Sequence, residues 1–305
     1  MSAITTQSVW LCMMASITGS GTSYGMSLES KQYQIVASIV LFNHSYAQLE
    51  DTLSSLLSEP CVEKIVLVDN GGAEWAATLN NPRISYLSLG QNKGFGCGHN
   101  FAMKHYLDKC SYFLICNPDI SFAKGELERL YHFARDGKHK FVSPRIHYSD
   151  GRFQYSCRLL PTPANLFLRR FAPRWGAKLD VIYELHHADY TQSFSIPSVS
   201  GCFMLMDSQL LKQLNGFDER YFMYSEDIDL CRRALPLTEI LFYPDATITH
   251  AFSKGSYKSL NLLIYHIKSV ISYFNKWGWF FDRERVLANQ KCLKTIPMTS
   301  PTEKR

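Results

Sequence analysis

Three carboxylates lie within the short stretch Ser225-Glu226-Asp227-Ile228-Asp229. Like charges this close raise the pKa of one member of the group, because neighbouring carboxylates do not ionise independently. A carboxylate with a raised pKa suits a general base, so we expect Asp227 to deprotonate a reacting hydroxyl group. The alternative is that these acidic residues, in the first turn of a predicted helix, only offset the helix dipole.

Asn117-Pro118-Asp119 ends one apolar strand and His250 ends another. A hard cation that bridges two phosphates needs a carboxylate at a strand end, with positions left for phosphate oxygens and water. We expect Asp119 to be that ligand, and the imidazole of His250 is acceptable to manganese beside it. As alternatives, Asn-Pro-Asp is also a turn signal, and a lone histidine at a strand end is often a hydrogen-bonded structural residue.

Polar residues at other strand ends and a glycine-rich loop indicate where a phosphate-bearing ligand would bind. In open α/β sheets, ligands bind beyond the carboxyl ends of the strands. The polar residues at the ends of the first two strands are Asn43, His44, Asp69 and Asn70. In the loop Asn92-Lys-Gly-Phe-Gly-Cys-Gly98, Lys93 precedes a helix N-terminus, which suits a diphosphate or a ribose edge. A flexible loop without a ligand is the alternative.

The elements that must position these residues alternate between apolar runs and helical patterns from about residue 33, which predicts an α/β fold with a mostly parallel sheet. Ser45 and Gln48 have the spacing of a capping box. The predicted strands are 35–42, 64–68, 84–87, 112–116, 200–206 and 239–243, with a short β-branched run at 246–249. Residues 144–198 lack clean periodicity, and we expect this half to handle an acceptor.

Composition is that of an ordinary globular enzyme: 305 residues, of which 46% are hydrophobic and 19% charged, with a formal net charge of +5. This charge is too small to require a nucleic-acid partner. The nine cysteines are scattered and form no C-x-x-C pair, which favours free thiols in a reducing, cytoplasmic compartment. We expect residues 1–32 to be a disordered extension, with Met26 an alternative natural start, and we predict no membrane-spanning helix.

Six blocks, in this order, resemble the family 2 glycosyltransferases of the GT-A fold, and specifically their rhamnosyltransferase-like bacterial branch. The blocks are Asp69-Asn70, Asn92–Gly98, Asn117-Pro118-Asp119, Gly201–Met206, Asn215-Gly-Phe-Asp218 and Tyr224–Leu230. The resemblance covers roughly residues 33 to 285. It implies a Rossmann-like, mixed and mostly parallel sheet flanked by helices, and an inverting, single-displacement transfer of a sugar.

The resemblance also implies roles for individual residues. Asp227 would be the base, Glu226 or Asp229 would assist with the acceptor or the geometry, and Asp119 and His250 would bind Mn²⁺ or Mg²⁺. The implied nucleotide-sugar site comprises Asn43, Asp69, Asn70, Asn92, Lys93, Gly94 and Asn117. The usual metal motif is D-x-D, whereas Asn117 stands at its first position here, which leaves Asp119 as the main carboxylate ligand.

The implied donor is a sugar nucleotide, with dTDP-rhamnose favoured, and the implied acceptor is a polyprenyl-diphosphate-linked saccharide used for O-antigen-type surface polysaccharide. We predict a catalytic domain at 33–255, with a nucleotide-binding half at 33–125 and an acceptor half at 126–255. Residues 256–305 would form a C-terminal helix and basic tail. No feature of the sequence decides whether the chain forms a homodimer.

The C-terminal segment interleaves basic and aromatic residues, as a segment lying on an anionic membrane does. The basic residues are Lys254, Lys258, Lys268, Lys276, Arg283 and Arg285, and the aromatic ones are Tyr273, Phe274, Trp277, Trp279, Phe280 and Phe281. We therefore predict a peripheral protein at the inner face of the cytoplasmic membrane. The alternative is a helix that packs on the core.

Two other functions compete with this interpretation, besides transfer from a different donor. A nucleotidyltransferase would need a glycine-rich basic loop directly after the first strand, where this chain has Asn43-His44-Ser45. A catalytically inactive homologue would only bind a sugar nucleotide or act as a scaffold, and the joint presence of Asp119, Asp227 and His250 argues against it.

Overall fold

The structure is a computed structural model that describes residues 33–171, 179–251 and 260–298. Its strands are β1 (Tyr33–Leu41), β2 (Val62–Asp69), β3 (Ile84–Ser88), β4 (Cys110–Cys116), β5 (Ile120–Ser121), β6 (Phe141–Tyr148), β7 (Cys157–Arg158), β8 (Phe194–Ile196), β9 (Ser198–Val199), β10 (Phe203–Asp207) and β11 (Ile240–His250). Its α-helices are α1 (Tyr46–Ser58), α2 (Phe95–Tyr106), α3 (Glu126–Asp136), α4 (Pro163–Phe171), α5 (Ser208–Leu214), α6 (Glu226–Ala234), α7 (Leu260–Trp277) and α8 (Arg283–Thr295). Short 3₁₀ helices occur at Glu74–Thr78 and Leu107–Lys109.

The central sheet is mixed, with the strand order β3-β2-β1-β4-β10-β6-β11-β5 and with β8 paired to β11. Strands β1 to β4 run parallel, β10 is antiparallel to β4 and β6, and β11 is again parallel to β6. Strand β1 is buried without a break from Ile35 to Leu41, with Ser38 the one polar residue in that run, because both faces of this central strand are covered. The predicted α/β class and mostly parallel sheet are confirmed.

Helices cover both faces of this sheet and create two apolar cores. One core joins the sheet to α1 and α3, through residues such as Leu49 and Leu130. The other joins it to α2, α5 and α6, through residues such as Ala102, Leu211 and Leu230. A third, smaller cluster packs α7 against the start of α6.

Most predicted elements lie within one or two residues of their expected positions. The capping box at the start of α1 is present, with the Ser45 backbone N–H donating to Gln48 Oε1 at 2.9 Å. The segments predicted at 239–243 and 246–249 form one strand, β11, because Pro244 is absorbed at a register shift between Tyr243 and Thr247. The sequence pattern predicts one helix and a basic tail over residues 256–305, whereas the structure has a second helix there, α8.

The C-terminal segment differs from its predicted arrangement at several side chains. Tyr273 and Phe274 are fully buried. Lys276 Nζ lies 2.8 Å from Asp218 and 2.6 Å from Asp229, and the buried Arg285 lies beside Asp282. A membrane-facing position is therefore wrong for these four residues, because they pack into the fold.

The remaining expectations for the chain ends fall partly outside the described ranges. The predicted extension 1–32 lies outside them, as do Lys254 and Lys258. Within the described ranges, no helix is long and apolar enough to cross a bilayer. The eight cysteines in these ranges are all free.

Candidate active site

The parallel strands bring four of the predicted polar positions to one edge of the sheet. Strands β1, β2, β4 and β11 all end there. Strands β1, β2 and β4 run parallel to one another. Strand β10 is antiparallel to both β4 and β6, and β11 is parallel to β6, so β11 runs in the same direction as β4. One edge of the sheet therefore contains Asp69, Asn117, His250 and, after the end of β1, Asn43. Strand β10 starts at the same edge, so Gly201 and Cys202 lie there too.

Helix α1 fixes the turn that carries Asp119. The hydroxyl of Thr52 donates to the carbonyl of Pro118 at 2.7 Å and accepts from the backbone N–H of Ile120 at 3.2 Å. Strand β5 then pairs Ile120 with His250, and Ala251 N–H donates to the Asp119 carbonyl at 2.9 Å. The backbone thus holds residues 119 and 250 side by side.

Asp119 and His250 form the polar centre of this edge. Asp119 Oδ1 lies 3.3 Å from His250 Nε2, and Asn117 Nδ2 lies 3.5 Å from the same nitrogen. His250 Nδ1 is 3.2 Å from Oε1 of Gln154, and both side chains are buried. Because an amide oxygen only accepts, Gln154 favours a proton on Nδ1 and leaves Nε2 directed at Asp119.

The charges of this pair shift both pKa values. Burial raises the pKa of Asp119, but the polar and charge interaction with His250, 3.3 Å away, outweighs burial and lowers it. Burial lowers the pKa of His250, but Cys202 and Asp119 outweigh burial and raise it to about 10. Asp119 also acts on His44, where it partly offsets the lowering of the pKa by burial, so His44 belongs to the same edge.

The residues at this edge fit a divalent cation. Asp119 Oδ1 is buried, and among the described residues no donor satisfies it with hydrogen-bond geometry, although His250 Nε2 is near. A carboxylate oxygen and an imidazole nitrogen are ligands that Mn²⁺ accepts. The described part of the chain contains no group of three His, Cys, Asp or Glu side chains arranged to hold a metal. A cation would therefore need ligands from a phosphate and water as well.

Asp227 is held beside the same edge at the start of α6. Its Oδ2 accepts from the Gly201 N–H at 3.0 Å, and its Oδ1 accepts from the Ile228 N–H at 2.8 Å. Cys202 follows Gly201 in the chain, and its carbonyl accepts from the Asn117 N–H at 2.9 Å. Residues 201 and 202 thus connect Asp227 to the turn that carries Asp119.

The backbone that delivers Asp227 is strained. Tyr224 and Ser225 have φ values of 73° and 65°, in the left-handed region that side chains other than glycine rarely adopt. Such strain costs about 1–3 kcal/mol per residue and persists only where surrounding structure enforces it. Gly201 faces Asp227 closely, since a Cβ at this position would lie 3.0 Å from Asp227 Cβ.

The two acidic neighbours of Asp227 have different environments. Glu226 is buried, burial and the charge of Asp227 raise its pKa well above the usual range, and its Oε2 has no partner among the described residues. Asp229 is 0% exposed and accepts from Tyr221, Lys276 and Trp277 and, as an ion pair, from Arg233. Asp229 is therefore paired within the fold and fastens α6 to the end of α7.

Asn70 organises the predicted phosphate loop. Its Nδ2 donates to Asn92 Oδ1 at 2.9 Å and to the Gly94 carbonyl at 3.0 Å, and its Oδ1 accepts from Lys93 N–H at 2.8 Å. Gly94 has a φ of 93°, and a Cβ there would lie 2.1 Å from the Phe222 carbonyl oxygen. The loop is thus built against the segment that leads to Asp227, and only glycine fits this contact.

Asp69 and Asn43 shape the chain beside this loop. Asp69 is buried, and its carboxylate accepts from Gly71 N–H at 2.7 Å and from the Tyr86 hydroxyl at 2.8 Å. Asn43 is exposed, has a φ of 54°, and donates its N–H to the Gly71 carbonyl at 2.9 Å. The exposed side chain of Asn43 can therefore contact a ligand, whereas the buried Asp69 carboxylate holds the turn that follows β2.

Two site residues were not identified from the sequence as functional. Gln154 lies in a region without periodicity, and only the buried contact with His250 identifies it. Gly201 was included in a family block, but its backbone contact with Asp227 was not foreseen. No local signal predicts a pairing between positions this far apart in sequence.

Residues 37–214 match the family model described as Glycosyl transferase family 2. The chain is 26% identical over 202 residues to the low-salt glycan biosynthesis hexosyltransferase Agl10 of Haloferax volcanii, covering 65% of this chain and 61% of that protein. It is 28% identical over 262 residues to the N-acetylglucosaminyl-diphospho-decaprenol L-rhamnosyltransferase of Mycobacterium tuberculosis, covering 76% and 82%. It is 24% identical over 266 residues to rhamnosyltransferase WbbL of Escherichia coli, covering 83% and 95%.

Two solved structures share the fold at low sequence identity. The crystal structure of GalNAc-T7 with UDP, GalNAc and Mn²⁺ aligns with a TM-score of 0.60 at 13% identity, covering 83% of this chain and 49% of that one. The mannosyltransferase PcManGT of Pyrobaculum calidifontis, in complex with GDP-Man and Mn²⁺, aligns with a TM-score of 0.54 at 16% identity, covering 81% and 64%. The chain therefore spans about half to two thirds of these solved chains.

Proposed function

The chain belongs to glycosyl transferase family 2 and has the GT-A fold, and from this premise we propose that it moves a sugar from a nucleoside-diphosphate donor to an acceptor hydroxyl group, with inversion at the anomeric carbon. One observation carries the proposal. The Asp119–His250 pair and Asp227 lie at one sheet edge and are joined through residues 201 and 202. A single displacement needs a group that holds the leaving diphosphate and a separate base for the acceptor, and this edge supplies both.

Asp227 is the proposed general base. The N–H groups of Gly201 and Ile228 orient its carboxylate, and it takes the proton from the acceptor hydroxyl as the new glycosidic bond forms. Burial and the neighbouring Asp227 charge raise the pKa of Glu226, which favours the neutral form of its carboxyl group beside the base. Asp229 supports the base indirectly, by fixing α6.

Asp119 and His250 are the proposed ligands of a divalent cation, Mn²⁺ or Mg²⁺. Bound there, the cation supplies positive charge that stabilises the leaving diphosphate. Gln154 holds the imidazole of His250 in position, and Asn117 lies beside the pair. Asn43, Lys93 and the loop that Asn70 organises contribute to binding of the nucleotide.

The donor and acceptor are proposed from the relatives. The relatives from Mycobacterium tuberculosis and Escherichia coli are named rhamnosyltransferases, and the former acts on N-acetylglucosaminyl-diphospho-decaprenol by its name. We therefore propose dTDP-rhamnose as donor and a polyprenyl-diphosphate-linked saccharide as acceptor, in synthesis of O-antigen-type surface polysaccharide. This acceptor would place the protein at the inner face of the cytoplasmic membrane.

The test is release of nucleoside diphosphate from a panel of nucleotide sugars, with Mn²⁺ and a polyprenyl-diphosphate N-acetylglucosamine acceptor. Acceptor-dependent release of dTDP from the rhamnose donor alone is the expected result. Release from another sugar nucleotide retains the reaction and rejects rhamnose as the donor. Binding of nucleotide sugars without turnover on any acceptor would reject the enzyme and identify an inactive binding homologue.

A further inference from the structure

The outer face of α7 carries a line of exposed apolar side chains. They recur at one helical face, at spacings of four, three and four residues, and apolar exposure continues after the helix ends. The members of this α7 ridge are the exposed Leu260, Ile264 and Ile271 with the half-buried Ile267 between them, followed by the exposed Phe280 and Phe281. Leu260 is 72% exposed, Phe280 is 77% exposed and Phe281 is 100% exposed. An exposed line of this length is costly in water and indicates a partner.

The exposed charges beside the ridge are mainly basic, and the exception is Glu284, which is 80% exposed next to Arg283. Residues 260–281 contain no Asp or Glu. Lys268 lies exposed on α7 beside the ridge, and Arg283 is exposed just after it. Lys276 does not contribute, because it is turned inward to Asp218 and Asp229. An apolar face flanked by exposed cations suits an anionic lipid surface.

We propose that the α7 ridge docks the protein on an anionic lipid bilayer, with the apolar side chains entering the headgroup region and Lys268 and Arg283 meeting lipid phosphates. The proposal rests on the proposed function in one respect, that a lipid-linked acceptor requires the site to reach a membrane. A second copy of the chain fits the ridge less well. A symmetric contact would bring the Lys268 side chains of two identical ridges together, and residues 260–281 offer no Asp or Glu to pair with them.

The inner face of α7 connects the ridge to the site. Ser269 Oγ donates to the Met223 carbonyl at 2.7 Å, the rings of Tyr265 and Phe222 lie 4.4 Å apart, and those of His266 and Tyr224 lie 5.1 Å apart. These contacts hold the strained segment that precedes Asp227. Since a helix with its side chains is about 10–12 Å thick, a docked ridge places this segment roughly one helix diameter from the lipid. That position suits an acceptor whose sugar is attached to the bilayer through a diphosphate.

The experiment is co-sedimentation of the purified full chain with vesicles of phosphatidylcholine alone or mixed with phosphatidylglycerol. The test variant is Ile264→Glu with Phe281→Glu, and the matched control is Leu237→Glu, which adds a carboxylate at an exposed leucine off the ridge. We expect binding of the native chain to the mixed vesicles, at least about a tenfold loss in the test variant, and little loss in the control. Binding should also weaken as salt is raised.

Two results would overturn the proposal: equal vesicle binding by the native chain and the test variant, or no binding of the native chain to mixed vesicles. A native dimer that the test variant converts to a monomer, without any vesicle binding, would overturn it in favour of a second copy. Transfer to a water-soluble acceptor analogue, which should be unchanged in the test variant, separates the two proposals. Intact vesicle binding without transfer by the native chain would reject the proposed function and leave docking supported.

Discussion

Replacing Asp227 by Asn tests the assignment of the base with little change of shape. The side chain is half-buried, and its two oxygens accept one backbone N–H each, from Gly201 and Ile228. Asparagine keeps one accepting oxygen and turns an NH₂ group towards the other N–H. The variant therefore loses one hydrogen bond and the ability to accept a proton.

The magnitudes of these two losses differ enough to separate them. The lost hydrogen bond costs about 1 kcal/mol of folding free energy, which leaves a protein of ordinary stability, about 5–15 kcal/mol, folded. Loss of a general base lowers turnover by at least about 100-fold, which is about 2.7 kcal/mol of transition-state stabilisation. The expected variant is therefore folded and nearly inactive.

The assay compares acceptor-dependent release of nucleoside diphosphate by the native chain and by Asp227→Asn, with circular dichroism and thermal unfolding as the check on folding. Asp136→Asn is the matched control, because the Asp136 side chain is 63% exposed at the end of α3. A folded Asp227→Asn variant that retains more than about a tenth of native turnover would refute the assignment of the base.

Three further predictions concern the elements around the base. Gln154→Ala should weaken Mn²⁺ binding about 10- to 100-fold, measured from the electron paramagnetic resonance of free Mn²⁺ with nucleoside diphosphate present. Gln154→Glu should retain binding, and equal affinity in all three proteins would contradict a positioning role. Arg232→Met should cost about 1.5–3 kcal/mol in urea unfolding, because the buried Asp282 carboxylate loses both hydrogen bonds from the Arg232 guanidinium and keeps only Arg285, through its N–H and a guanidinium 3.7 Å away. Changing both partners to apolar residues should recover part of that loss, and a cost below 1 kcal/mol for the single variant would show that the pair is dispensable. The raised pKa of His250, about 10 in the fold against about 6.5 when unfolded, should stabilise the metal-free protein fully below about pH 6.5 and do so less as pH rises to 10. Mn²⁺ affinity should rise over the same interval, because the imidazolium proton must leave, and a flat affinity from pH 7 to 10 would exclude that linkage.

Local sequence patterns predicted the elements of the nucleotide-binding half well. The strands around residues 35–42, 64–68 and 112–116 are long apolar runs bounded by polar turns, and the Ser45–Gln48 capping box marks the start of α1. Local signals of this kind survive folding, because the residues that define them are close in the chain. Residues 144–198 lack such signals, and the short strands there are defined by pairing with distant segments, β8 with β11 in the central sheet and β7 with β9 in a separate two-stranded sheet.

The C-terminal segment shows where composition alone misleads. Its alternation of basic and aromatic residues predicted one membrane-facing surface, but Tyr273, Phe274 and Arg285 pack inward. Phe280 and Phe281 of the predicted set are exposed, and so are Leu260, Ile264 and Ile271 of the α7 ridge, which the prediction did not include. Which face of a helix is buried depends on what it packs against, and that information is not local.

The sequence by itself determined the fold class, the family and the identities of the polar residues that end the strands, because each depends on local pattern or on motif order. Tertiary structure alone decided which of those residues meet. It joined Asp119 to His250 and Gln154, and it tied Asp227 to Gly201. It also paired the buried Asp229 with Lys276 of α7, since the partners of a buried carboxylate come from elements distant in the chain. The chemistry of a side chain is set by its residue type, but its partners, its solvation and its pKa are set by the packing around it.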